Sequence, residues 1–315
     1  MAEKQKVLMI GAGLMGCGIA TLWAKAGHQV VLLRRDASAQ SRAETKGQIA
    51  KALQMLVDNK ALCQEEVEPS LDRVDVTADM GVAAESTFII DTWPEDLEMK
   101  RKLFGDLDRL APAETILATN STTLTLAEIG TNVVHKERFL GTHFYVPAYV
   151  IPLVEISRRP ETADWAVEKT TKLMTAIGKV PVHCRDSSGY IAVRLQVAMV
   201  YEAIRLLEQG IASPEDIDKA VRNSFAARLL TFGPLEMADR GGLDIWKVSG
   251  DYLYQVYGDK KYDPPQLLKD KVAKGELGIK SGKGFHPNSQ ELLAAGRDRL
   301  LIGLFQHLGL LPKVD

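Results

Sequence analysis

Val7-Leu-Met-Ile10 is a short, wholly apolar run, and Gly11-Ala-Gly13-Leu-Met-Gly16 follows it without a break. Apolar residues then recur at helical spacing from Ile19 to Ala26, Gly27 closes that stretch, and Val30-Val-Leu-Leu33 is a second apolar run. This order of strand, turn, helix and strand predicts a βαβ unit with parallel strands. The glycines have separate tasks. Gly11 permits the tight turn, Gly13 lets a pyrophosphate approach the backbone, and Gly16 lets the helix pack close to the strand. The helix N-terminus, at Leu14 and Met15, offers unpaired N–H groups and a positive dipole end to phosphate. An ordinary α/β domain can carry a glycine turn too. Its place between strand and helix, with the second strand on time, is what selects dinucleotide binding.

The end of the second strand bears on which dinucleotide. An acidic residue there usually takes the adenosine ribose hydroxyls. This chain has Arg34-Arg35-Asp36 instead. Arg34 stands in the acidic place, and a guanidinium suits a 2′-phosphate. The expected cofactor is NADP. NAD is the alternative, with both arginines merely solvated and Asp36 bent back to the ribose.

The α/β rhythm continues. Strands are expected at 74–76, 87–90, 115–118, 139–142, 153–156 and 180–184. Helices are expected at 94–110, with Glu95, Asp96 and Glu98 favourable to its dipole, and at 162–177. The long interval 39–71 reads as helical with exposed Lys and Glu, and is expected to project as a substrate clamp. Beyond Asp186-Ser-Ser-Gly189 the pattern turns helical throughout, at 190–209, after the capping Ser213, and around 234–240, 243–257 and 264–274. The fold class is therefore α/β, a doubly wound sheet over residues 1–187 followed by an all-helical domain over 188–315. The length of 315 residues fits two domains at ~150 residues each.

Composition narrows the function classes. The net charge is −2 with no basic tract, which argues against general nucleic-acid binding. Cys17, Cys63 and Cys184 form no CxxC pair, so neither a disulfide framework nor a zinc site is expected, and no metal-ligand spacing is evident. The apolar run near the start is too short for a signal-peptide core, and no stretch approaches the ~18 apolar residues of a membrane span. A cytoplasmic protein is expected.

Among six histidines, His143 stands out at a strand end after Phe139-Leu-Gly-Thr. Glu155 lies in the next apolar run, Pro152-Leu-Val-Glu155-Ile156. Neighbouring strand ends can bring the two together. A carboxylate on one imidazole nitrogen fixes the tautomer and raises basicity, leaving the other nitrogen to take an alcohol proton. From pattern alone, a hydrogen-bonded core histidine and a surface strand glutamate are the commoner reading of such a pair. Thr122 and Thr123, at another strand end, can meet a substrate hydroxyl or simply cap a turn.

Seven segments together resemble the L-3-hydroxyacyl-CoA dehydrogenase family nearly end to end. They are Gly11–Ala20, Trp93-Pro-Glu-Asp-Leu-Glu-Met-Lys100, Ala118-Thr-Asn-Ser-Thr-Thr-Leu124, His143-Phe-Tyr-Val-Pro147 with Pro152–Ile156, Asp186–Ile191, Gly233-Pro-Leu-Glu236 and Gly278–Phe285. The resemblance implies a Rossmann-like first domain, a helical second domain that forms a homodimer, and hydride transfer to a nicotinamide. By position, His143 matches the family's general base, Glu155 the carboxylate that orients it, and Thr122 a serine that contacts the substrate oxygen. The cofactor contacts expected are Gly11, Gly13, Leu14, Met15 and Gly16, then Arg34 and Arg35, and Glu95, Lys100 and Asn120 on the shared motifs.

The chain departs from the family at Val146 and Val193, where the family has asparagines, and at Arg34, where acyl-CoA members are usually acidic. The segment Pro147–Pro152 is similar to members acting on free hydroxy acids, such as gulonate 3-dehydrogenase (also a lens crystallin) and carnitine dehydrogenase. The expected function is NAD(P)-dependent interconversion of a 3-hydroxyacyl-CoA and a 3-ketoacyl-CoA. A dehydrogenase of a free small 3-hydroxy acid is the alternative, and a catalytically weak nucleotide-binding or structural protein is the third reading. Arg42, Lys46 and Lys51 on the expected clamp would suit CoA phosphates.

Overall fold

The computed structural model describes residues 4–287, so the tail of the expected second domain and His307 lie outside the described residues. The chain divides into two compact units between Val200 and Tyr201.

The first unit holds strands β1 (Lys6–Ile10), β2 (Gln29–Leu33), β3 (Val74–Thr77), β4 (Phe88–Asp91), β5 (Ile116–Thr119), β6 (Phe139–Phe144), β7 (Leu153–Arg158) and β8 (Val180–Arg185). They form one sheet in the order β3-β2-β1-β4-β5-β6-β7-β8. Neighbours are parallel except β6 and β7, which are antiparallel. Helices α1 (Leu14–Lys25), α2 (Ala39–Asp58), α3 (Val67–Leu71), α4 (Leu97–Leu110), α5 (Leu126–Ile129) and α6 (Asp164–Ala176) accompany it.

Both faces are buried along the central strands β1, β4, β5 and β6, which explains the continuous apolar runs of β1 and β4. Alternate residues serve opposite faces. Val7 and Met9 join Trp23 of α1 and Ile49 and Leu53 of α2 in one core cluster. Leu8 and Ile10 join Leu103, Phe104 and Leu107 of α4 in the other. Sequence order reverses at β1, whose neighbours are β2 and β4. Open α/β sheets bind ligands outside the carboxyl ends of their strands at such a reversal.

Three local outcomes differ from the expectations. The 39–71 interval does not project as a clamp. Ser41, Thr45, Ile49, Ala52, Leu53 and Leu56 of α2 are buried, because that helix carries an apolar stripe that packs against α1. Helix α4 starts at Leu97 rather than Pro94, since the Asp96 carboxylate accepts from Met99 N–H and caps it. Helix α5 has only four residues, too few for periodicity to reveal.

Helix α7 (Ala192–Glu208) carries the chain out of the first unit. The second unit continues with α8 (Pro214–Arg222), α9 (Phe225–Leu229), α10 (Pro234–Gly241), α11 (Leu243–Tyr257) and α12 (Gln266–Ala273). Ser213 caps α8 by accepting from Asp216 N–H, with Pro214 in its first turn, as its sequence predicts. The shared motif at 278–285 wraps a buried carboxylate: Asp239, 1% exposed, accepts from Phe285 and His286 N–H. Helix α11 leaves Ile245, Trp246, Val248, Tyr252 and Val256 exposed. Among the described residues no helix is long and apolar enough to cross a membrane.

Candidate functional site

The glycine turn follows β1 at the point where strand order reverses. Gly11 has φ +105°, a conformation that L side chains rarely adopt. A Cβ on Gly16 would lie 2.0 Å from the Gly11 carbonyl oxygen, whereas one on Gly13 meets nothing within 4 Å. Gly16 is therefore a packing residue, and Gly13 faces open space. The N-terminus of α1 has no side-chain cap, so its first N–H groups are available to an anion. A hollow of about 250 Å³ lies here, lined among others by Gly11, Gly13, Arg34, Arg35 and Trp93. Leu14 beside it is 71% exposed, and Met15 is half-buried.

Arg34 is anchored on α2, donating to the Ser41 carbonyl at 2.9 Å and to Thr45 Oγ1 at 2.7 Å. Asp36 accepts from the Ser41 and Ser38 hydroxyls and from Ser38 N–H. Those donors, Ser41 first, hold its carboxyl below the ordinary aspartate value. Asp36 is thus occupied at the start of α2, and Arg34 and Arg35 are among the residues that line the hollow.

Glu95, Lys100 and Asn120 frame the neighbouring strand ends. Lys100 is 1% exposed and donates to Asp91 and to the Trp93 carbonyl. The Glu95 carboxylate accepts from the Ser121 hydroxyl and from Thr122 and Thr123 N–H. Asn120 Oδ1 accepts from Phe144 N–H at 2.8 Å. Each of these side chains holds a loop, and together they fix the turn that carries Thr122.

The antiparallel register of β6 and β7 sets His143 directly opposite Glu155. The two are 4% and 1% exposed. His143 Nδ1 lies 2.9 Å from Glu155 Oε2, and His143 Nε2 lies 3.2 Å from Thr122 Oγ1. With an ionised partner at Nδ1, the network assigns the proton of the neutral ring to that nitrogen. Nε2 then presents its lone pair toward the Thr122 hydroxyl.

Burial pushes Glu155 up, but four donors outweigh it and bring the carboxyl down to about 2. They are His143, Tyr145, and the backbone N–H groups of Ile191 and Ala192. Glu155 therefore stays ionised at neutral pH and also satisfies N–H groups at the start of α7. The loop between β6 and β7 is tied by Lys179, whose ammonium donates to the Ala148 and Ile151 carbonyls. Burial, with Lys25 nearby, lowers Lys179 to about 8.

Two tyrosines that the sequence reading did not select belong to this site. The Tyr145 hydroxyl donates to Glu155 Oε2 at 2.7 Å. Its signal was present, because it is two residues from His143 along an extended chain. Tyr190, 3% exposed, donates to the Ser121 carbonyl and sets its ring 5.1 Å from that of His143. Val146 is 55% exposed, and Val193 is half-buried.

Comparison with known proteins bears on what this site does. Residues 6–187 match the family description "3-hydroxyacyl-CoA dehydrogenase, NAD binding domain" and residues 189–287 its C-terminal domain. A 3-hydroxybutyryl-CoA dehydrogenase of Mycobacterium tuberculosis is 34% identical over 284 residues, covering 90% of this chain and 98% of the relative. The crystal structure of a 3-hydroxyacyl-CoA dehydrogenase from Archaeoglobus fulgidus superposes with a TM-score of 0.77 at 29% identity, covering 98% of this chain and all of that one. A second structure is a 5-dehydrogenase of a pyridine carboxylic acid, described as an NAD⁺-dependent dismutase. It superposes at 0.71 with 26% identity over 95% of this chain and 97% of that one.

Proposed function

The chain belongs to the 3-hydroxyacyl-CoA dehydrogenase family, and on that premise we propose how its residues carry the reaction. It is an NAD(P)-dependent oxidoreductase acting on CH–OH, interconverting a 3-hydroxyacyl-CoA and a 3-ketoacyl-CoA. The observation that carries the mechanism is the buried His143–Glu155 pair facing the Thr122 hydroxyl.

The turn residues Gly11, Gly13, Leu14, Met15 and Gly16 fit a dinucleotide, since the open side of Gly13 and the uncapped α1 leave room and donors for its phosphates. A bound nicotinamide supplies the acceptor for the hydride that leaves the substrate's C3. His143 Nε2 takes the hydroxyl proton as that C–H bond breaks and the C=O bond forms. Glu155, ionised throughout, stabilises the resulting imidazolium and holds the ring in place. Thr122 positions the substrate oxygen. In the reverse direction protonated His143 returns the proton to that oxygen. Glu95, Lys100 and Asn120 serve the cofactor edge by holding the strand ends that form it.

Arg34 and Arg35 support NADP over NAD, because they line the hollow while the Asp36 carboxylate is occupied elsewhere. Replacing Arg34 with Asp weakens NADP binding about tenfold more than NAD binding, or ~1.4 kcal/mol. Equal losses for both would remove the 2′-phosphate argument. The exposed apolar side chains of α11 support the homodimer that the family resemblance implies.

A second reading, a free hydroxy acid or other non-CoA alcohol, is favoured by Val146 and Val193 and by the likeness to the pyridine-acid dehydrogenase. Initial rates with 3-hydroxybutyryl-CoA and with free 3-hydroxybutyrate separate the two. The proposal expects the thioester to be the better substrate by a wide margin. Preference for the free acid would replace it with the second reading.

A further inference from the structure

Tyr145 follows His143 by two positions, and both side chains reach the same carboxylate. Glu155 Oε2 accepts from the Tyr145 hydroxyl at 2.7 Å and from His143 Nδ1 at 2.9 Å. The other oxygen, Oε1, accepts from Ile191 and Ala192 N–H at 3.0 Å each. The carboxylate's roughly four lone-pair sites are thereby filled. The two rings also meet edge to face, their centroids 4.6 Å apart. Burial and the adjacent Glu155 charge push the Tyr145 phenol well above its ordinary value, so it remains a donor at every working pH.

We propose that Tyr145 is a positioning residue that sets the pH at which His143 exchanges its proton, by drawing on the Glu155 oxygen that His143 also uses. A donor at Oε2 disperses part of the carboxylate charge, and less is left to hold an imidazolium. The other groups around His143 do not compete for that oxygen among the described residues. From the loop after β5, the Thr122 hydroxyl is uncharged. Tyr190, leading into α7, is pushed up by burial and stays neutral. Cys184 on β8 is raised to about 11, by burial first and then by Glu155 and Asp186, and is also neutral. Glu95 and Asp186 carry charge, but their oxygens accept from the β5 loop and from the N-terminus of α5 respectively.

The sign follows from the oxidation step, which needs neutral His143. Without the Tyr145 hydroxyl the imidazolium is held more strongly, so a higher pH is needed to free Nε2. Tyr145→Phe keeps the ring contact and removes the donor to Glu155, together with the oxygen that accepts from Val193 N–H. The acid limb of kcat/KM for 3-hydroxyacyl-CoA oxidation moves up by roughly half to one pH unit. The His143 ring titration, read by NMR on the substrate-free protein, moves up in step. Site-specific 3,5-difluorotyrosine at 145 is a stronger donor and moves both readouts down, which keeps the proposal testable where the phenylalanine variant folds poorly. Unmoved titration in both variants overturns it, as does a large loss of rate with the limb in place. The kinetic readout rests on the dehydrogenase reading above, but the ring titration does not. Absence of turnover in the wild type would therefore sink that reading while Tyr145 is still decided by NMR.

Discussion

Replacing His143 with alanine lowers the oxidation rate by about 10²–10⁴-fold, the range for removing a positioned general base, while dinucleotide binding persists. Nε2 is the ring nitrogen turned to the Thr122 hydroxyl, and Nδ1 is committed to Glu155. The glycine turn follows β1, whereas His143 sits on β6 with β4 and β5 between. Glu155 keeps the Tyr145 hydroxyl and two backbone N–H donors when the imidazole is gone, so the start of α7 stays held. The acid limb that belongs to the base disappears with it. Glu155, brought down to about 2, stays ionised over the working range and contributes no limb of its own. Cofactor fluorescence titration alongside steady-state rates separates the two effects. A variant that oxidises substrate as fast as the wild type would remove His143 from the mechanism.

Lys100→Met destabilises the protein by about 3–5 kcal/mol, because it strands a buried carboxylate without its counter-charge. Asp91 is fully buried and Lys100 1% exposed. Asp91 would keep only Trp93 N–H and the Thr119 hydroxyl as donors. The loss is read as a lower denaturant midpoint, and Asp91→Asn in the same chain recovers part of it by removing the stranded charge. The same experiment distinguishes a holding role from direct cofactor contact. An unchanged midpoint with dinucleotide affinity lost would show that Lys100 reaches the cofactor itself.

Much of this architecture is legible in the letters because its signals are local. The turn at Gly11–Gly16 is one, since a positive φ, an approach too close for a Cβ and an open side fall within six residues. The opposition of His143 and Glu155 was legible as two strand ends, and the antiparallel register supplies the pairing. What the letters hide is long-range. Ile191 and Ala192 N–H reach Glu155 across 36 and 37 residues, by a return of the chain that no local pattern announces. The buried role of Lys100 is hidden for another reason: Asp91 is only nine residues away, but a lysine in the first turn of a helix reads as solvated until the fold buries it. The expected clamp at 39–71 failed for the opposite reason. Its exposed Lys and Glu drew the reading, while the stripe from Ser41 to Leu56 that packs on α1 decided the outcome.

Reduction of acetoacetyl-CoA, followed by nicotinamide absorbance with NADPH and NADH in parallel, tests the 3-hydroxyacyl-CoA dehydrogenase assignment most directly. The expected result is steady turnover, faster at low cofactor concentration with NADPH, and loss of that turnover in the His143→Ala protein. Dinucleotide binding without any reduction of acetoacetyl-CoA would contradict it and would point to the non-CoA substrate that Val146 and Val193 favour.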